Sequence, residues 1–340
     1  MATIKEIADR LGVSISTVSK GLNGASDISE EMRQTVLDTA MEMGYIHRRK
    51  KDAALRRLCV MVENMAYESI HGFGYEVIAG FRLAAAKQNC EVSVIAVDDF
   101  FQQKQSCSSL IRQNGYDGAF LLGFDLNDTY LKQIEEISIP TVLLDNYLPG
   151  HPMTCYVGTD NSEGMQLVVD YLTSLGHRRI AYLGGFDDSF VEIRRREAFE
   201  RFMRCHGLKA DPLLCGSGLN EPETAKKYLH DFIERGATAV ICTSDLIASG
   251  AISELYRMGM RVPEDMSVVG FDDLPIARYL APPLTTVRQD RQALGRCALA
   301  MLEQMISGCG IGVMLLHPEL KIRDSCKAVI PQELPEGYVH

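Results

Sequence analysis

Short apolar segments alternate with stretches of helical periodicity along most of the chain after residue 57. The apolar segments have the length of strands that are buried on both faces, and the periodic stretches are long enough for helices. This alternation is typical of parallel sheets with right-handed crossovers. One open sheet of ordinary size would not hold all the strands, so we predict an α/β core of two parallel-sheet lobes. The predicted strands are residues 58–62, 92–96, 118–122, 141–144, 180–183, 239–243 and 267–271, and the predicted helices are 77–88, 106–113, 129–137, 162–175, 193–203 and 247–258.

The first 45 residues have a different pattern, which predicts three short helices. Thr3 and Glu6 form a capping-box pair, which opens a helix over residues 4–10. Ser14 has the side chain and the position to cap a second helix over residues 15–22. Ser29 does the same for a third helix, which Gly44 ends.

The first two of these helices have the residues that a helix-turn-helix requires. Their steep crossing needs a small residue in the first helix, a residue that tolerates an unusual backbone at the turn, and an apolar plug in the second. Ala8, Gly12 and Val18 occupy these positions. We predict a DNA-binding head whose second helix enters the major groove; the alternative is that these are surface helices of the core. The residues that the second helix exposes are Ile15, Ser16, Thr17, Ser19 and Lys20.

The charge distribution supports the head more than the total charge does. The net charge is −10, which by itself argues against binding to nucleic acid. However, residues 47–57 contain six cations and one acid, Asp52. A small cationic part on an acidic body fits a DNA reader carried by a larger module that does not touch DNA. The six cations are Arg48, Arg49, Lys50, Lys51, Arg56 and Arg57.

Motifs in both parts of the chain resemble the lactose-repressor (LacI/GalR) family. In the head they are TIKEIA at 3–8, GVS at 12–14, STVSK at 16–20, NG at 23–24 and MGY at 43–45; in the core they are LGHRRIA at 175–181, VPEDMSVVGFDD at 262–273, PPLTTV at 282–287 and HPELKIR at 317–323. The resemblance implies a periplasmic-binding-protein-like core with an effector in the cleft between its lobes. It implies a helix-turn-helix domain at 1–46, a basic hinge at 47–57 and a core at 58–330, with an N-lobe of about 58–157 and 290–316 and a C-lobe of about 158–289 and 317–330.

The resemblance also implies roles for the residues of the head. Ile15, Ser16 and Lys20 take the base-reading positions, and Lys20 has donors for guanine O6 and N7, although it also has the charge to bind the backbone. Thr17, Ser19 and Asn23 would mainly contact phosphates. In the family the hinge folds on DNA and a paired leucine wedges into the minor groove; here Leu55 is the candidate. The alternative for this segment is a flexible tether with electrostatic grip only.

Polar residues at strand ends and at one helix start predict the effector site. Asp272, Asp145 and the pair Ser244 and Asp245 directly follow predicted strands, and ligands bind at this end of parallel strands. Arg195 matches a family helix start whose arginine contacts the ligand. Carboxylates and a guanidinium suit sugar hydroxyls. The alternatives are that the aspartates close turns or cap segments, and that Arg195 belongs to a solvated helix start.

The aromatic residues that usually stack on a sugar ring are few in this chain, which has no Trp. The positions that align with family stacking residues hold Asn220 and Arg291, so Phe73 and Tyr75 remain as candidate stackers. The loss of two aromatics puts a plain neutral monosaccharide in doubt. An Arg291 that faces the cleft would favour an anionic effector such as a sugar acid or a sugar phosphate.

We therefore predict a ligand-responsive transcriptional regulator, a repressor that binds a near-palindromic operator in double-stranded DNA as a homodimer. The predicted effector is a sugar or sugar derivative, with no cofactor, no metal and no membrane partner. The chain shows no secretory signal and no apolar run of membrane-spanning length, which predicts a cytoplasmic protein. The alternatives are a sugar-binding protein of a transport system and an α/β enzyme. Against the enzyme, none of the common nucleotide-binding, hydrolase or metal-ligand motifs occurs.

Overall fold

The computed structural model describes residues 3–23, 28–43, 55–125, 128–133, 139–187, 189–219 and 221–329. The chain divides into two compact units, Met1–Leu55 and Arg56–His340. Elements are numbered in chain order throughout. Among the described helices, none combines the length and the apolar character needed to cross a membrane.

The first unit contains three helices: α1 (Ile4–Leu11), α2 (Ile15–Asn23) and α3 (Glu30–Glu42). The predicted capping box opens α1, because the Glu6 N–H donates to the Thr3 hydroxyl and the Thr3 N–H donates to the Glu6 carboxylate. Gly12 ends α1 in the left-handed conformation, with φ 66°. The small core of the unit consists of Ile7, Ala8, Val18, Leu22, Val36 and Ala40. The three predicted helices and the roles predicted for Ala8, Gly12 and Val18 are confirmed.

The first lobe of the second unit contains a six-stranded sheet within the described residues, and every pair of neighbouring strands is parallel. Its strand order is β11-β5-β4-β3-β1-β2. One face packs on α4 and α12, and the other face packs on α6 and α7. The bounds are β1 Arg56–Val62, α4 Phe73–Ala85, β2 Cys90–Ala96, α5 Asp99–Lys104, α6 Cys107–Asn114, β3 Gly118–Leu122, α7 Thr129–Lys132, β4 Thr141–Leu144, β5 Thr154–Thr159, α12 Arg291–Ile306 and β11 Val313–Leu316.

The second lobe contains the other six-stranded sheet of the described residues, in the order β12-β10-β9-β8-β6-β7. Its strands run parallel except β12, which pairs antiparallel with β10. Helices α8 and α9 cover one face, and α10 and α11 cover the other. The bounds are α8 Asn161–Ser174, β6 Ile180–Gly184, α9 Phe190–Cys205, β7 Cys215–Ser217, α10 Thr224–Glu234, β8 Ala239–Cys242, α11 Asp245–Arg257, β9 Ser267–Asp272, β10 Thr285–Arg288 and β12 Glu319–Lys321.

The chain passes between the two sheets at three places, after β5, after β10 and after β11. The crossovers after β5 and β11 lie side by side, because these strands are neighbours in the first sheet. The crossover after β10 lies next to the one that enters β12, because β10 and β12 are neighbours in the second sheet. The carboxyl ends of the first-sheet strands β4 and β5 and of the second-sheet strands β9 and β10 lead into the region between the sheets. The fold therefore places polar residues that follow these strands where a ligand between parallel-sheet lobes would bind.

The sequence pattern found seven of the described strands but missed several other elements. Strands β5, β7, β10, β11 and β12, and helices α5, α10 and α12, were not predicted. Strand β7 has three residues and β12 has three, so neither is long enough to show a period. Helix α4 begins at Phe73 and α9 at Phe190, three or four residues before the predicted starts. The candidate residues Phe73 and Tyr75 therefore lie in the first turn of α4, and Arg195 lies in the second turn of α9.

Candidate functional site

Helix α2 presents the residues that were predicted to read DNA. Ile15 is 53% exposed although it is apolar, and Ser16 and Lys20 are exposed as well. Thr17 and Ser19 are half-buried, while Val18 on the opposite face is fully buried in the core of the unit. The side chain of Asn23 lies outside the described part of the structure. One face of α2 is therefore anchored and the other is open to a partner.

The start of α2 is held by the predicted cap. The N–H of Thr17 donates to the Ser14 Oγ at 3.0 Å, and the two side-chain hydroxyls lie 2.9 Å apart. This cap satisfies one of the free N–H groups of the first turn. Because the cap and Val18 fix α2 at two points, the exposed residues between them have a defined position.

The segment predicted to form the hinge lies largely outside the described residues, which resume at Leu55. Leu55 is 55% exposed and is the last residue of the first compact unit. Its predicted role as a minor-groove wedge stays a prediction.

In the second unit, Arg195 is the centre of a polar cluster between the lobes. It lies on α9 and is only 6% exposed. Its Nε donates to the Asn161 Oδ1 at 2.7 Å and its Nη1 donates to the Thr243 carbonyl at 2.7 Å. The guanidinium lies 3.8 Å from the centre of the Phe271 ring, which fixes its plane. Arg195 therefore is not part of a solvated helix start, which was the alternative.

Two aspartates at strand ends face this arginine. Asp145 follows β4 and Asp272 ends β9, and both have a positive φ, 53° and 115°. A positive φ is costly for a residue with a side chain, so two such residues at one place suggest a functional constraint. Burial raises the pKa of Asp145 to about 7 and that of Asp272 to about 6, and the positive charge of Arg195 opposes both shifts.

Part of this cluster lacks hydrogen-bond partners within the described residues. The Asp145 Oδ1 and the Gln289 Oε1 are buried and accept no hydrogen bond there, although the Gln289 Nε2 donates to the Asp272 Oδ1 at 2.7 Å. A buried polar atom without a partner costs free energy, which a polar ligand can recover. The cluster therefore offers acceptors that suit the hydroxyl groups of a ligand.

Arg291 corrects the argument for an anionic effector. It lies near Asp272, but its Nη2 is 2.8 Å from the Glu76 carboxylate and its Nη1 donates to the Asp272 carbonyl at 2.6 Å. The side chain is 7% exposed. Because Glu76 on α4 neutralises this charge, Arg291 presents no free cation to the cleft, and the reason for preferring an anionic effector is lost.

The candidate stacking residues lie at the start of α4. Phe73 is half-buried and lies 5.9 Å from the Arg291 guanidinium, whereas Tyr75 is 38% exposed. Asn220 lies outside the described residues. The structure thus brings Phe73 next to the cluster, and the roles of all three residues stay predictions.

Asp245 is a second correction. It is fully buried, and its two carboxylate oxygens accept hydrogen bonds from the Leu274 N–H at 2.6 Å and the Thr286 hydroxyl at 2.5 Å. Burial and the nearby Asp272 raise its pKa well above the ordinary value. Asp245 ties strand ends together and has no surface for an effector. Its neighbour Ser244 is buried and caps α11 through the Ile247 N–H.

Sequence reasoning missed three residues of the cluster: Asn161, Gln289 and Glu76. Gln289 directly follows β10, and Asn161 lies two residues after the end of β5; neither strand was predicted. The rule that found Asp145 and Asp272 would have found them, had β5 and β10 been recognised. Glu76 carries no such signal, because only the packing of α4 on α12 brings it to Arg291.

A group with metal-ligating side chains occurs elsewhere, on the surface of α10. His230, Asp231 and Glu234 bring one ligand atom each within 4.8 Å of one another, and all three are exposed. They lie on one helix and face solvent, as surface residues at this spacing commonly do. We assign no metal to this group.

Comparison with known proteins gives the same picture along the whole chain. A profile of bacterial regulatory proteins of the lacI family matches residues 3–47, and a profile of periplasmic binding protein-like domains matches residues 169–326. The HTH-type transcriptional repressor CytR of Escherichia coli K12 is 31% identical over 337 residues, which cover 96% of this chain and 97% of the relative. The HTH-type transcriptional repressor PurR of Vibrio vulnificus is 28% identical over 338 residues, 97% of this chain and 100% of the relative. A solved complex of the transcriptional regulator CelR with cellobiose superposes with a TM-score of 0.72 at 25% identity, covering 96% of this chain and 100% of that one.

Proposed function

The chain belongs to the lacI family of bacterial regulatory proteins, and on this premise we propose that it is a cytoplasmic repressor that binds a near-palindromic operator as a homodimer. A sugar-like effector lowers or raises its affinity for this operator. In this proposal residues 1–46 read DNA, 47–57 form the hinge and 58–330 sense the effector. Membership of a family of regulators decides against the enzyme alternative.

The exposed face of α2 supports the DNA-binding part of the proposal. Ile15, Ser16 and Lys20 project from a helix that its cap and its buried face hold in place. An apolar side chain that is half exposed suits a thymine methyl, and a lysine suits guanine acceptors. Thr17, Ser19 and Asn23 would contact phosphates, which position the helix without selecting a sequence. A two-fold dimer presents two such helices, and this requires a symmetric site.

A variant of Lys20 tests this part. Operators selected from a random DNA pool are bound by the full-length protein, and the Kd is measured for each variant. Lys20→Ala should weaken the selected operator about tenfold to a hundredfold and relax the preference at one base pair of each half-site, because a base contact contributes about 1–3 kcal/mol. The control Lys209→Ala removes an equal charge from the surface of the core. Equal effects of the two variants, or no selected sequence, would remove the proposal.

The polar cluster around Arg195 supports the effector part. Asp145 and Asp272 offer carboxylates, and Arg195 offers a fixed guanidinium, in a region enclosed by both lobes. Sugar hydroxyls both donate and accept, so they can bond to both kinds of group. The structure of CelR with cellobiose shows that a protein of similar fold can be crystallised with a sugar. Phe73 lies close enough to form one wall of such a site, and the proposal includes Tyr75, Asn220 and Ser244 as further contacts.

An effector screen tests this part separately. Neutral sugars, sugar acids and sugar phosphates are compared by thermal shift on the wild type and on Asp272→Asn. The effector should raise the Tm of the wild type and not of the variant, and it should change the operator Kd only for the wild type. The control Asp231→Asn lies on the exposed face of α10 and should respond as the wild type does. An effector that stabilises Asp272→Asn equally would contradict the assignment of this cleft.

A further inference from the structure

A cavity lies beside the crossovers, next to the cluster around Arg195. Its volume is about 410 Å³, which is within the range of small-molecule sites. Both lobes contribute to it, because Tyr156 and Leu315 belong to the first sheet and the start of α8 and one face of α9 belong to the second lobe. Its lining includes Tyr156, Thr159, Asn161, Phe190, Arg201 and Arg204.

Arginines on α9 make the cavity cationic. Arg194, Arg201 and Arg204 all line it, but Arg194 is paired with Glu197 at 3.1 Å. Arg201 donates to the Ser162 hydroxyl, and within the described residues neither Arg201 nor Arg204 has a carboxylate in ion-pair range. Two acids also line the cavity: Glu197, which is paired with Arg194, and Asp160, which accepts from the Ser162 and Glu163 N–H groups as the cap of α8. Two guanidinium groups are therefore available to an anion.

A buried hydroxyl points to a ligand independently of these charges. Thr159 ends β5, is only 1% exposed and lines the cavity. Its Oγ1 has no hydrogen-bond partner among the described residues. Such a hydroxyl costs stability unless a ligand bonds to it.

Part of the lining is aromatic. Phe190 meets Tyr156 edge to face, with the ring centres 5.5 Å apart, and both rings line the cavity. A ligand that fits must therefore combine an anionic group for the arginines with a flat apolar part for the rings. Arginine forks match phosphate oxygens in geometry as well as in charge.

We propose that this cavity is a second ligand site, distinct from the effector cleft, that binds a small phosphate monoester with a ring substituent. Arg201 and Arg204 hold the phosphate, the Thr159 hydroxyl donates to it, and the ring of the ligand lies against Phe190 and Tyr156. The inference goes beyond the proposed function, because it does not depend on what binds near Arg195.

The site is placed to influence the effector cleft. Asn161 lines the cavity, and its Oδ1 accepts the hydrogen bond of the Arg195 Nε. A ligand in the cavity also contacts both lobes beside their crossovers, so it favours one relative arrangement of the lobes. Two ligands that favour the same arrangement help each other to bind, and the coupling is reciprocal.

Calorimetry on the full-length protein tests the site with three probes: phenyl phosphate, inorganic phosphate and phenol. Phenyl phosphate should bind more tightly than either of the others, because only it engages both the arginines and the rings. The double variant Arg201→Gln/Arg204→Gln should weaken phenyl phosphate about tenfold or more, since it removes both of the charged donors proposed to hold the phosphate. The control Arg82→Gln/Arg235→Gln removes two exposed arginines elsewhere and should leave the Kd unchanged.

Thr159→Val is the sharper variant, because it should separate folding from binding. It removes a hydroxyl that has no partner, so the Tm of the free protein should stay equal or rise, while phenyl phosphate should bind several-fold more weakly. The inference is overturned if phenyl phosphate does not bind at millimolar concentration, or if the cavity and control variants bind it equally. Operator binding is measured on the same samples, so loss of this site with operator binding intact leaves the proposed function standing.

Discussion

At the scale of single residues, the buried carboxyl groups are what depart most from ordinary chemistry. Besides the aspartates of the cleft, Glu63 at the end of β1 is 4% exposed. Its Oε1 accepts from the Gln102 Nε2 at 2.6 Å, and its Oε2 is buried and has no hydrogen-bond partner in the part of the chain that the structure describes. Burial and the adjacent carboxylate of Asp128 raise the pKa of Glu63 to about 8. Glu63 is therefore protonated in the folded protein at a pH where the unfolded chain has lost that proton.

This difference predicts a pH-dependent stability. Between about pH 4.5 and pH 8 the folded state binds one proton more than the unfolded state, so the free energy of unfolding falls as the pH rises through this window. The slope from this one group is at most about 1.4 kcal/mol per pH unit. Glu63→Gln, which keeps the shape and an acceptor for Gln102, should flatten the slope and should raise the stability above pH 8.

Urea unfolding at a series of pH values measures this slope. Glu234→Gln serves as the control, because it makes the same change at an exposed carboxylate on α10 in the other lobe. A Glu63→Gln protein with the same pH dependence as the wild type would contradict the prediction.

At the scale of elements, the contact between α4 and α12 depends on two glycines. A Cβ at Gly80 would stand 2.2 Å from the Gln292 carbonyl oxygen, and one at Gly295 would stand 2.0 Å from the Val77 carbonyl oxygen. Both distances are far below van der Waals contact, so the two backbones approach as closely as they do only because these positions lack side chains. This close packing of α4 on α12 brings Glu76 and Arg291 within hydrogen-bond distance.

Gly295→Ala should therefore destabilise the protein by about 1–3 kcal/mol or more, because the added methyl group forces the helices apart. The sign of the change in the free energy of unfolding is informative, since alanine in place of glycine inside a helix normally stabilises by about 1 kcal/mol. Thermal or urea unfolding measures the change. Gly310→Ala is the matched control, because a Cβ there meets no atom within 4 Å and should change the stability little.

At the scale of the whole core, Arg291 ties the two lobes together. It begins α12, which packs on the first sheet, and it donates to the carbonyls of Asp272 and Asp273 at the end of β9 in the second sheet. Glu76 supplies the carboxylate that makes this arrangement possible for a buried cation. The same arginine thus contacts the backbone of a residue proposed to bind the effector.

A double-mutant cycle of Glu76→Gln and Arg291→Met should measure the ion pair that holds Arg291 in place for this contact between the lobes. We expect a coupling energy of about 1 kcal/mol in urea unfolding, which is modest because Glu76 is about a third exposed. Either single variant should also change the effector affinity, since each alters the balance between arrangements of the lobes. Additive free energies with an unchanged effector affinity would show that the lobes are not coupled through this pair.

The sequence alone determined which local structures form and in what order. Capping residues, Gly12 at a positive φ, and apolar periods act over a few residues. The three helices of the head, seven of the described strands and the polar residues at the ends of β4 and β9 could therefore be predicted. The number of predicted strands indicated two lobes, and the resemblance to the lactose-repressor family, which rests on residues in both units, implied the periplasmic-binding-protein-like arrangement with a cleft between them.

Only the tertiary structure decided which of the predicted polar groups are available and which are already used. Asp145 and Asp245 look alike in sequence, because each follows an apolar strand. Among the described residues, however, one buried oxygen of Asp145 has no partner, whereas both oxygens of Asp245 accept hydrogen bonds. Likewise, the charge of Arg291 is neutralised by Glu76, which is 215 positions away in the chain and is brought to it by the packing of α4. The physical reason is that the availability of a polar group depends on which distant groups packing brings within hydrogen-bond reach, and a local pattern holds no record of them.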